Sequence, residues 1–207
     1  QKQRGILIVF SGFSGSGKGT VMKELMNRYE EYYALSISAT TRQPRTGEVD
    51  GVNYFFITKD EFKQKIREEG FIEWAEVYGN FYGTPRKYVE EQLAAGKNVM
   101  LEIDPQGAKS VKLTMPDAVL VFVMPPSYKE LERRIRGRAT ETEEQIVKRL
   151  SCAVSEINTL AAYDYVIIND DIDVAVESLK SIIEAERCKV SRNTSLPSTF
   201  ILEKDSE

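Results

Sequence analysis

The stretch "GFSGSGKGT" (Gly12–Thr20) closely follows the apolar run "ILIVF" (Ile6–Phe10), and a helical pattern, "TVMKELMNRYEEY", begins at its end. Ile6–Phe10 reads as a strand buried on both faces. Val21, Leu25, Met26 and Tyr29 then fall at helical spacing. Strand, glycine loop and helix in that order are the setting of a P-loop, and Gly12-x4-Gly17-Lys18 has its spacing. Glycines let backbone N–H groups turn inward around phosphate oxygens, the helix N-terminus adds partial positive charge, and Lys18 supplies a full one. Gly12, Phe13, Ser14, Gly15, Ser16, Gly17, Lys18, Gly19 and Thr20 are therefore expected to cradle nucleotide phosphates. The Ser or Thr that usually follows the lysine is Gly19 here, with Thr20 next, so a magnesium ion is expected to be held mainly by phosphates and water. The loop alone leaves open whether a phosphate is hydrolysed, drives a switch or passes to an acceptor.

Further apolar runs follow at "NVMLEID" (Asn98–Asp104), "AVLVFVM" (Ala118–Met124) and "YVII" (Tyr165–Ile168). Helical patterns separate them, including "YKELERRIRGR" and "ETEEQIVKRLSCAVSEINTLAAY". Strands alternating with helices predict an α/β fold, a parallel P-loop sheet core flanked by helices. This core takes in residues 5–37 and 89–188, with a helical lid at about 134–150. Thr140 and Glu143 have capping-box spacing and predict a helix start near Glu141. Residues 38–88 break the rhythm, being rich in Gly, Tyr, Thr and charge. Only "KDEFKQKIREEG" reads as a helix there, with Gly70 as its C-terminal cap. A small mixed α+β insertion results, with Phe71 and Trp74 expected in its core. Residues 189–207 are polar with weak periodicity and predict a flexible tail or a loosely docked one.

With 207 residues the chain supports one well-buried core. A net charge of -4 argues against a general polyanion binder, so no nucleic-acid partner is expected. Histidine is absent, which removes the commonest general base and metal ligand. Cys152 and Cys188 lack CxxC spacing and read as free thiols in a reducing compartment, the cytoplasm. No apolar run approaches the ~18–20 residues needed to span a bilayer, so no membrane association is expected. Ile6–Phe10 is too short for a secretory signal. Monomer and homo-oligomer remain equally open.

The strand "VMLEID" ends in Glu102 and Asp104, where a parallel sheet presents its ligand-binding edge. An acid there could organise hydrated magnesium, and with Thr20 these are the candidates for contact through water. In "SISATTRQPRTGEVDGVNYFF", Arg42 and Arg45 flank Pro44, a stiff spacer, and Tyr54 follows. Two guanidinium forks and a phenol suit a phosphate monoester. "EGFIEWAEVYGNFYGTPR" adds Glu73, Tyr78, Tyr82 and Thr84.

"GFSGSGKGT", "SATTRQPRTGEVDGVNYFF", "FIEWAEVYGNFYGT", "LEIDPQG", "GRATETEEQIVKRL" and "VIINDD" occur in the order found in guanylate kinases, which the chain resembles from about Gly5 to Arg187. The resemblance is to a bacterial-type, stand-alone enzyme. It implies transfer of the terminal phosphoryl group of ATP to GMP, with magnesium accompanying ATP. It assigns the GMP phosphate to Arg42, Arg45, Tyr54 and Tyr82, and the guanine to Ser38, Glu73 and Thr84, with Asp104 near the base. It places Lys18 and the P-loop on the ATP phosphates and Asn169 on the adenine ring. Arg134, Arg138 and Arg149 match arginines that a lid closes over the transferring group. Two other readings share this fold: a catalytically inactive guanylate-kinase-like module that binds proteins, and a kinase for another nucleoside monophosphate. A GTP-hydrolysing switch is disfavoured, because "IINDD" does not match an NKxD-type guanine motif.

Overall fold

The chain passes from β1 (Leu7–Gly12) through the glycine loop into α1 (Lys18–Arg28) and on to β2 (Tyr33–Leu35). It then forms β3 (Ala39–Thr40), β4 (Phe55–Phe56), α2 (Lys59–Arg67), β5 (Phe71–Val77) and β6 (Asn80–Pro85). Next come α3 (Arg86–Ala94), β7 (Asn98–Glu102), α4 (Pro105–Thr114), β8 (Val119–Met124), α5 (Tyr128–Arg136) and α6 (Glu143–Glu156). A 3-10 turn (Ile157–Ala162), β9 (Tyr165–Ile168), α7 (Ile172–Arg187) and α8 (Leu196–Lys204) complete it. This computed structural model describes residues 3–137 and 142–204.

Five parallel strands in the order β2-β7-β1-β8-β9 make the main sheet. Four strands in the order β4-β3-β6-β5 make a second, mixed sheet from the segment between α1 and α3. The parallel core flanked by helices is the fold class that the sequence predicts. β1 lies at the centre, so its side chains divide between two layers. Ile6, Ile8 and Phe10 face α1 and α7, where Val21, Leu25, Val176 and Leu179 meet them. Leu7 and Val9 face α3 and α4, against Val89, Leu93 and Val111. Each such fully buried side chain contributes roughly 1.5–3 kcal/mol. The outcome is a rigid strand whose carboxyl end feeds directly into the glycine loop.

Smaller clusters support the periphery. Phe13, Phe122, Leu131, Ile135, Ile146 and Leu150 pack α5 and α6 onto the core beside the loop. In the second sheet, Phe62 from α2 stacks on Phe71 at 4.2 Å between ring centroids.

Several local expectations shift. The α6 capping box uses Thr142 and Gln145, so the helix begins at Glu143 and not near Glu141. Two T-x-x-E/Q spacings overlap there and only one can cap; Thr140 and Glu141 lie outside the described residues. The left-handed residue ending α2 is Glu69 (φ 53), with Gly70 one place later returning its N–H to Lys65 O (2.8 Å). Phe71 is buried as expected, but Trp74 is 47% exposed. The β5–β6 register slips between Phe71 and Trp74, which sets both on one face, and the indole ends at the rim of that cluster, edge-on to Phe81 at 6.0 Å. The start of the tail is docked. Arg192 Nη2 donates to Asp117 O (2.8 Å) and Asn193 Nδ2 to Arg187 O (2.8 Å). Those partners exist only in the folded chain, so polar composition alone could not reveal them.

Candidate active site

Two close approaches shape the glycine loop. Gly12 (φ +149) passes β8 so tightly that a Cβ would lie 2.1 Å from Val123 O. Gly17 (φ +82) precedes α1, and a Cβ there would lie 2.4 Å from Asn169 Nδ2. That amide donates to Ser16 O (2.8 Å), which also accepts from Arg134 Nη1 (3.3 Å). Arg134 Nη2 donates to Asn169 O (2.9 Å) and Nε to Glu130 Oε1 (2.7 Å). Asn169 and Arg134 thus brace the loop from behind. Asn169 is only 7% exposed, and its amide N–H faces the loop.

The loop's own side chains divide. Phe13 is buried, its ring edge-on to Phe122 at 5.1 Å, and Ser16 is fully buried, so these two offer backbone. Ser14 is exposed, and its Oγ accepts from Arg149 Nη2 (2.6 Å). Lys18 Nζ lies 3.9 Å from Glu102 Oε1 at the end of β7. A Cβ at Gly19 would sit in ordinary contact with the Glu102 carboxylate, 3.5 Å from Oε2, so that carboxylate lies directly against the loop. Thr20 is exposed on a cleft of about 600 Å³ shared with Gly15, Gly17, Arg134 and Asn169.

A second cleft, of about 260 Å³, opens between the two sheets. Ser38, Tyr54, Glu73, Tyr82, Glu102 and Asp104 all line it. Thr84, fully buried, donates its hydroxyl to Glu73 Oε1 (2.5 Å) and fixes that carboxylate at the wall. Burial pushes the Glu73 carboxyl above its usual range; the Thr84 bonds pull the other way and the Asp104 charge adds to the rise. Asp104 itself caps α4, accepting from Gly107 N (2.7 Å).

At the cleft's far end, Arg42 lies over the Tyr54 ring at 5.5 Å, and Tyr54 meets Tyr82 edge-on at 6.1 Å. Glu48 holds Arg42 through both terminal nitrogens, Nη2–Oε1 at 2.9 Å and Nη1–Oε2 at 3.0 Å. Those bonds, with the Arg45 backbone N–H, hold the Glu48 carboxyl below its usual range. Arg45 is exposed nearby.

α5 and α6 stand over the glycine loop, and the Arg136 guanidinium grips both oxygens of Glu143 (2.6 and 2.7 Å) to join them. Arg138 lies outside the described residues. Glu156, at the end of α6, has its carboxyl raised by burial, with Lys18 opposing and Asp104 reinforcing the shift. Sequence reading missed Glu48, Glu130 and Glu156. Glu48 carries one weak signal, three residues after Arg45 in a turn containing Gly47; the other two carry none, being charges on helices rich in charge.

A third cavity of about 410 Å³ lies at the opposite end of the sheet. Its charged groups pair with each other, Lys112 with Asp164 (3.0 Å) and Arg192 with Glu186 (3.1 Å), whereas the two clefts above converge on the glycine loop. Among the described residues, no group of three or more His, Cys, Asp or Glu side chains is placed to hold a metal ion by itself. No helix among them is long and apolar enough to cross a membrane.

A family profile described as guanylate kinase matches residues 4–186. The guanylate kinase of Caldanaerobacter subterraneus subsp. tengcongensis is 54% identical over 195 residues, covering 94% of this chain and 94% of that protein. That of Clostridioides difficile is 50% identical over 205 residues, covering 99% and 98%. Among solved structures, the crystal structure of guanylate kinase from Anaplasma phagocytophilum superposes with a TM-score of 0.70 at 38% identity, covering 92% of this chain and 90% of that one.

Proposed function

The chain belongs to the guanylate kinase family, and on that premise we propose how its residues share the transfer of a phosphoryl group from ATP to GMP. It is an ATP:GMP phosphotransferase. An oxygen of the GMP phosphate attacks the γ-phosphorus of ATP, the bond from that phosphorus to the β–γ bridging oxygen breaks, and ADP and GDP leave. The attacking oxygen is already anionic, so no general base is required and the lack of histidine is no obstacle. Catalysis then rests on alignment and on positive charge around the equatorial oxygens.

The glycine loop and Lys18 hold the ATP phosphates. Arg134 and Arg149, with Arg138, carry charge toward the transferring group. Asn169 supports the adenine side of the wider cleft, mainly by fixing the loop. Glu73 reads guanine: its carboxylate accepts the N1–H and 2-amino donors, while adenine would offer a lone pair at N1. Ser38, Thr84 and Asp104 complete that wall. Arg42, Arg45, Tyr54 and Tyr82 hold the GMP phosphate.

Magnesium enters with ATP. Glu102, against the loop at Gly19, is an oxygen donor that would suit a hydrated hard cation, and Thr20 and Asp104 are the further candidates for contact through water. When bound, the ion offsets phosphate charge. The two exposed free thiols support a cytoplasmic location.

One observation carries this reading: a partly buried carboxylate, Glu73, and two tyrosines, Tyr54 and Tyr82, with Arg42 over the Tyr54 ring, share one cleft that reaches Glu102 beside Lys18. The test is ADP release by purified protein with ATP and magnesium, supplied in turn with GMP, AMP, CMP and dTMP. Turnover with GMP well above the others is expected. Absence of GDP would remove the proposal, and with it the contrast to a silent protein-binding module.

A further inference from the structure

We infer that Ser11, Tyr163 and Glu156, together with Glu102 and Asp104, form an outer seat for a hydrated divalent cation, accepting hydrogen bonds from its bound waters. This rests on the reading above, in which magnesium enters with ATP.

Ser11 precedes the first glycine of the loop and pairs in register with Phe122 of β8. Alternation along β1 turns it to the face of Leu7 and Val9, which α4 covers with Ala108 and Val111. Asp104 caps that helix at its start. The Phe122 ring meets Phe13 of the loop edge-on at 5.1 Å and Tyr163 edge-on at 4.9 Å, which sets the phenol beside Ser11. Ser11 is fully buried, yet neither its Oγ nor Tyr163 Oη completes a hydrogen bond. Burial raises the phenol pKa; Ser11 pulls it back, and the charges of Asp104 and Glu156 add to the rise. Glu156 comes from α6, two turns after Arg149 and so on the same face of the helix. Arg149 reaches Ser14 of the loop (2.6 Å), and Glu156 lies in the fields of Lys18 and Asp104.

A buried hydroxyl left without a partner costs about 1–3 kcal/mol. Two of them side by side next to the glycine loop call for a ligand that brings hydrogen-bond donors. Both oxygens can accept, and the carboxylates of Glu102, Asp104 and Glu156 gather here against one ammonium, Lys18. The excess is therefore of acceptors and of negative charge. A phosphate oxygen would add to both. The water shell of a hard divalent cation offers only donors and carries the opposite charge. Among the described residues no three acids are placed to hold an ion directly, and contact through water needs none to be.

ATP binding is followed by calorimetry, with magnesium and with a chelator in its place, for wild type, Glu156→Gln and Tyr163→Phe. The readout is the ratio of the two dissociation constants, which involves no turnover. Magnesium should tighten ATP binding to the wild type. Glu156→Gln removes a negative charge near the loop, so metal-free ATP should bind as well as before or better. The gain from magnesium should nevertheless fall roughly five- to tenfold. Tyr163→Phe keeps the ring on Phe122 and removes only the acceptor; metal-free ATP should bind unchanged, and the gain should fall roughly two- to fivefold. No gain in the wild type, a gain that survives intact in either variant, or a loss of ATP binding that is equal with and without magnesium would each overturn the inference, the last because it marks a packing role. Wild-type protein that binds magnesium–ATP but makes no GDP would instead remove the proposed function and leave this seat standing.

Discussion

Glu73→Gln tests guanine recognition by changing one atom and one charge. One carboxylate oxygen already accepts from Thr84 (2.5 Å). In the glutamine variant a single carbonyl must serve both Thr84 and the purine, while the new N–H₂ meets a donor on guanine. Loss of one charge-assisted hydrogen bond is worth about 1.5–3 kcal/mol, and an unsatisfied donor left in the wall adds about 1–3 kcal/mol. A combined loss of about 3–5 kcal/mol lowers kcat/KM for GMP by roughly two to four orders of magnitude. ATP affinity should stay unchanged, because Glu73 lines the other cleft. The pH profile gives a second readout. Burial raises the Glu73 carboxyl, so its guanine-accepting, ionised form is lost on acidification at a higher pH than for an ordinary glutamate. The ratio of wild-type to variant kcat/KM should therefore shrink as pH falls through that raised pKa; titration of the GMP phosphate cancels in the ratio. Stability should move the other way. An acid with its folded pKa raised above the unfolded value loses stability as pH rises between the two, so at neutral pH the empty variant should be at least as resistant to denaturant as wild type. Equal losses for GMP and ATP, or a ratio that ignores pH, would show that Glu73 is structural.

Lys18→Ala should lower kcat roughly 10²–10³-fold while leaving the circular dichroism spectrum intact, since the lysine's partner is one partly exposed carboxylate; a mild effect would remove Lys18 from the phosphate cradle. Gly17→Ala forces a Cβ into the left-handed region and against the Asn169 amide, so urea denaturation should show a loss of at least ~1–2 kcal/mol. An unmoved midpoint would mean that the loop relaxes freely. Glu186→Ala removes a carboxylate that is 1% exposed, leaves Tyr165 without its partner and Arg192 with only the Asp117 carbonyl, a loss of about 3–5 kcal/mol. Burial pushes that carboxyl up, but its bonds from Lys189, Tyr165 and Arg192 outweigh it and hold it below the usual range. Its contribution is present above the unfolded pKa and fades as pH falls through the folded one, so the variant and wild type should converge in acid. A gap that persists there would refute the ion-pair account.

The parallel core was legible because β1, β7 and β8 are continuous apolar runs, as burial on both faces demands, and because β9 is apolar too although it lies at the edge with Val166 and Ile168 exposed. β2 was not, because three residues at the sheet edge ask for no such run. The glycine loop was legible from spacing, since Gly12 and Gly17 hold conformations that side chains resist. Most of the other candidate positions came through resemblance, and the partners that orient them came from neither route. Glu48, the nearest carboxylate to Arg42 in sequence, is still six residues away across a turn, and Glu130 is four from Arg134 while Glu132 is only two. Which acid closes on which arginine depends on backbone path and ring packing. Trp74 shows the same limit: a slip in strand register, invisible in the pattern, decides which way the indole faces.

Those partners bear on how the site works before any nucleotide arrives. Lys18 faces Glu102, Arg42 is gripped by Glu48, Arg134 by Glu130 and two backbone carbonyls, and Arg149 reaches the Ser14 hydroxyl. Each cation is held in place when the chain folds, so much of the entropy of ordering four long side chains is lost then and not at the reaction step. Preorganised charge is most useful when it need not rearrange as the transition state forms. The arrangement also sorts the cations. Arg42 and Arg134 retain N–H groups beyond their anchors and can meet a phosphate without letting go. Lys18 is held more loosely, 3.9 Å from a carboxylate, so an incoming polyphosphate can draw it away. A fixed cation at the acceptor side, Arg42, would let GMP find a formed site, while at the donor side Arg134 stays anchored and Lys18 shifts as ATP completes its own.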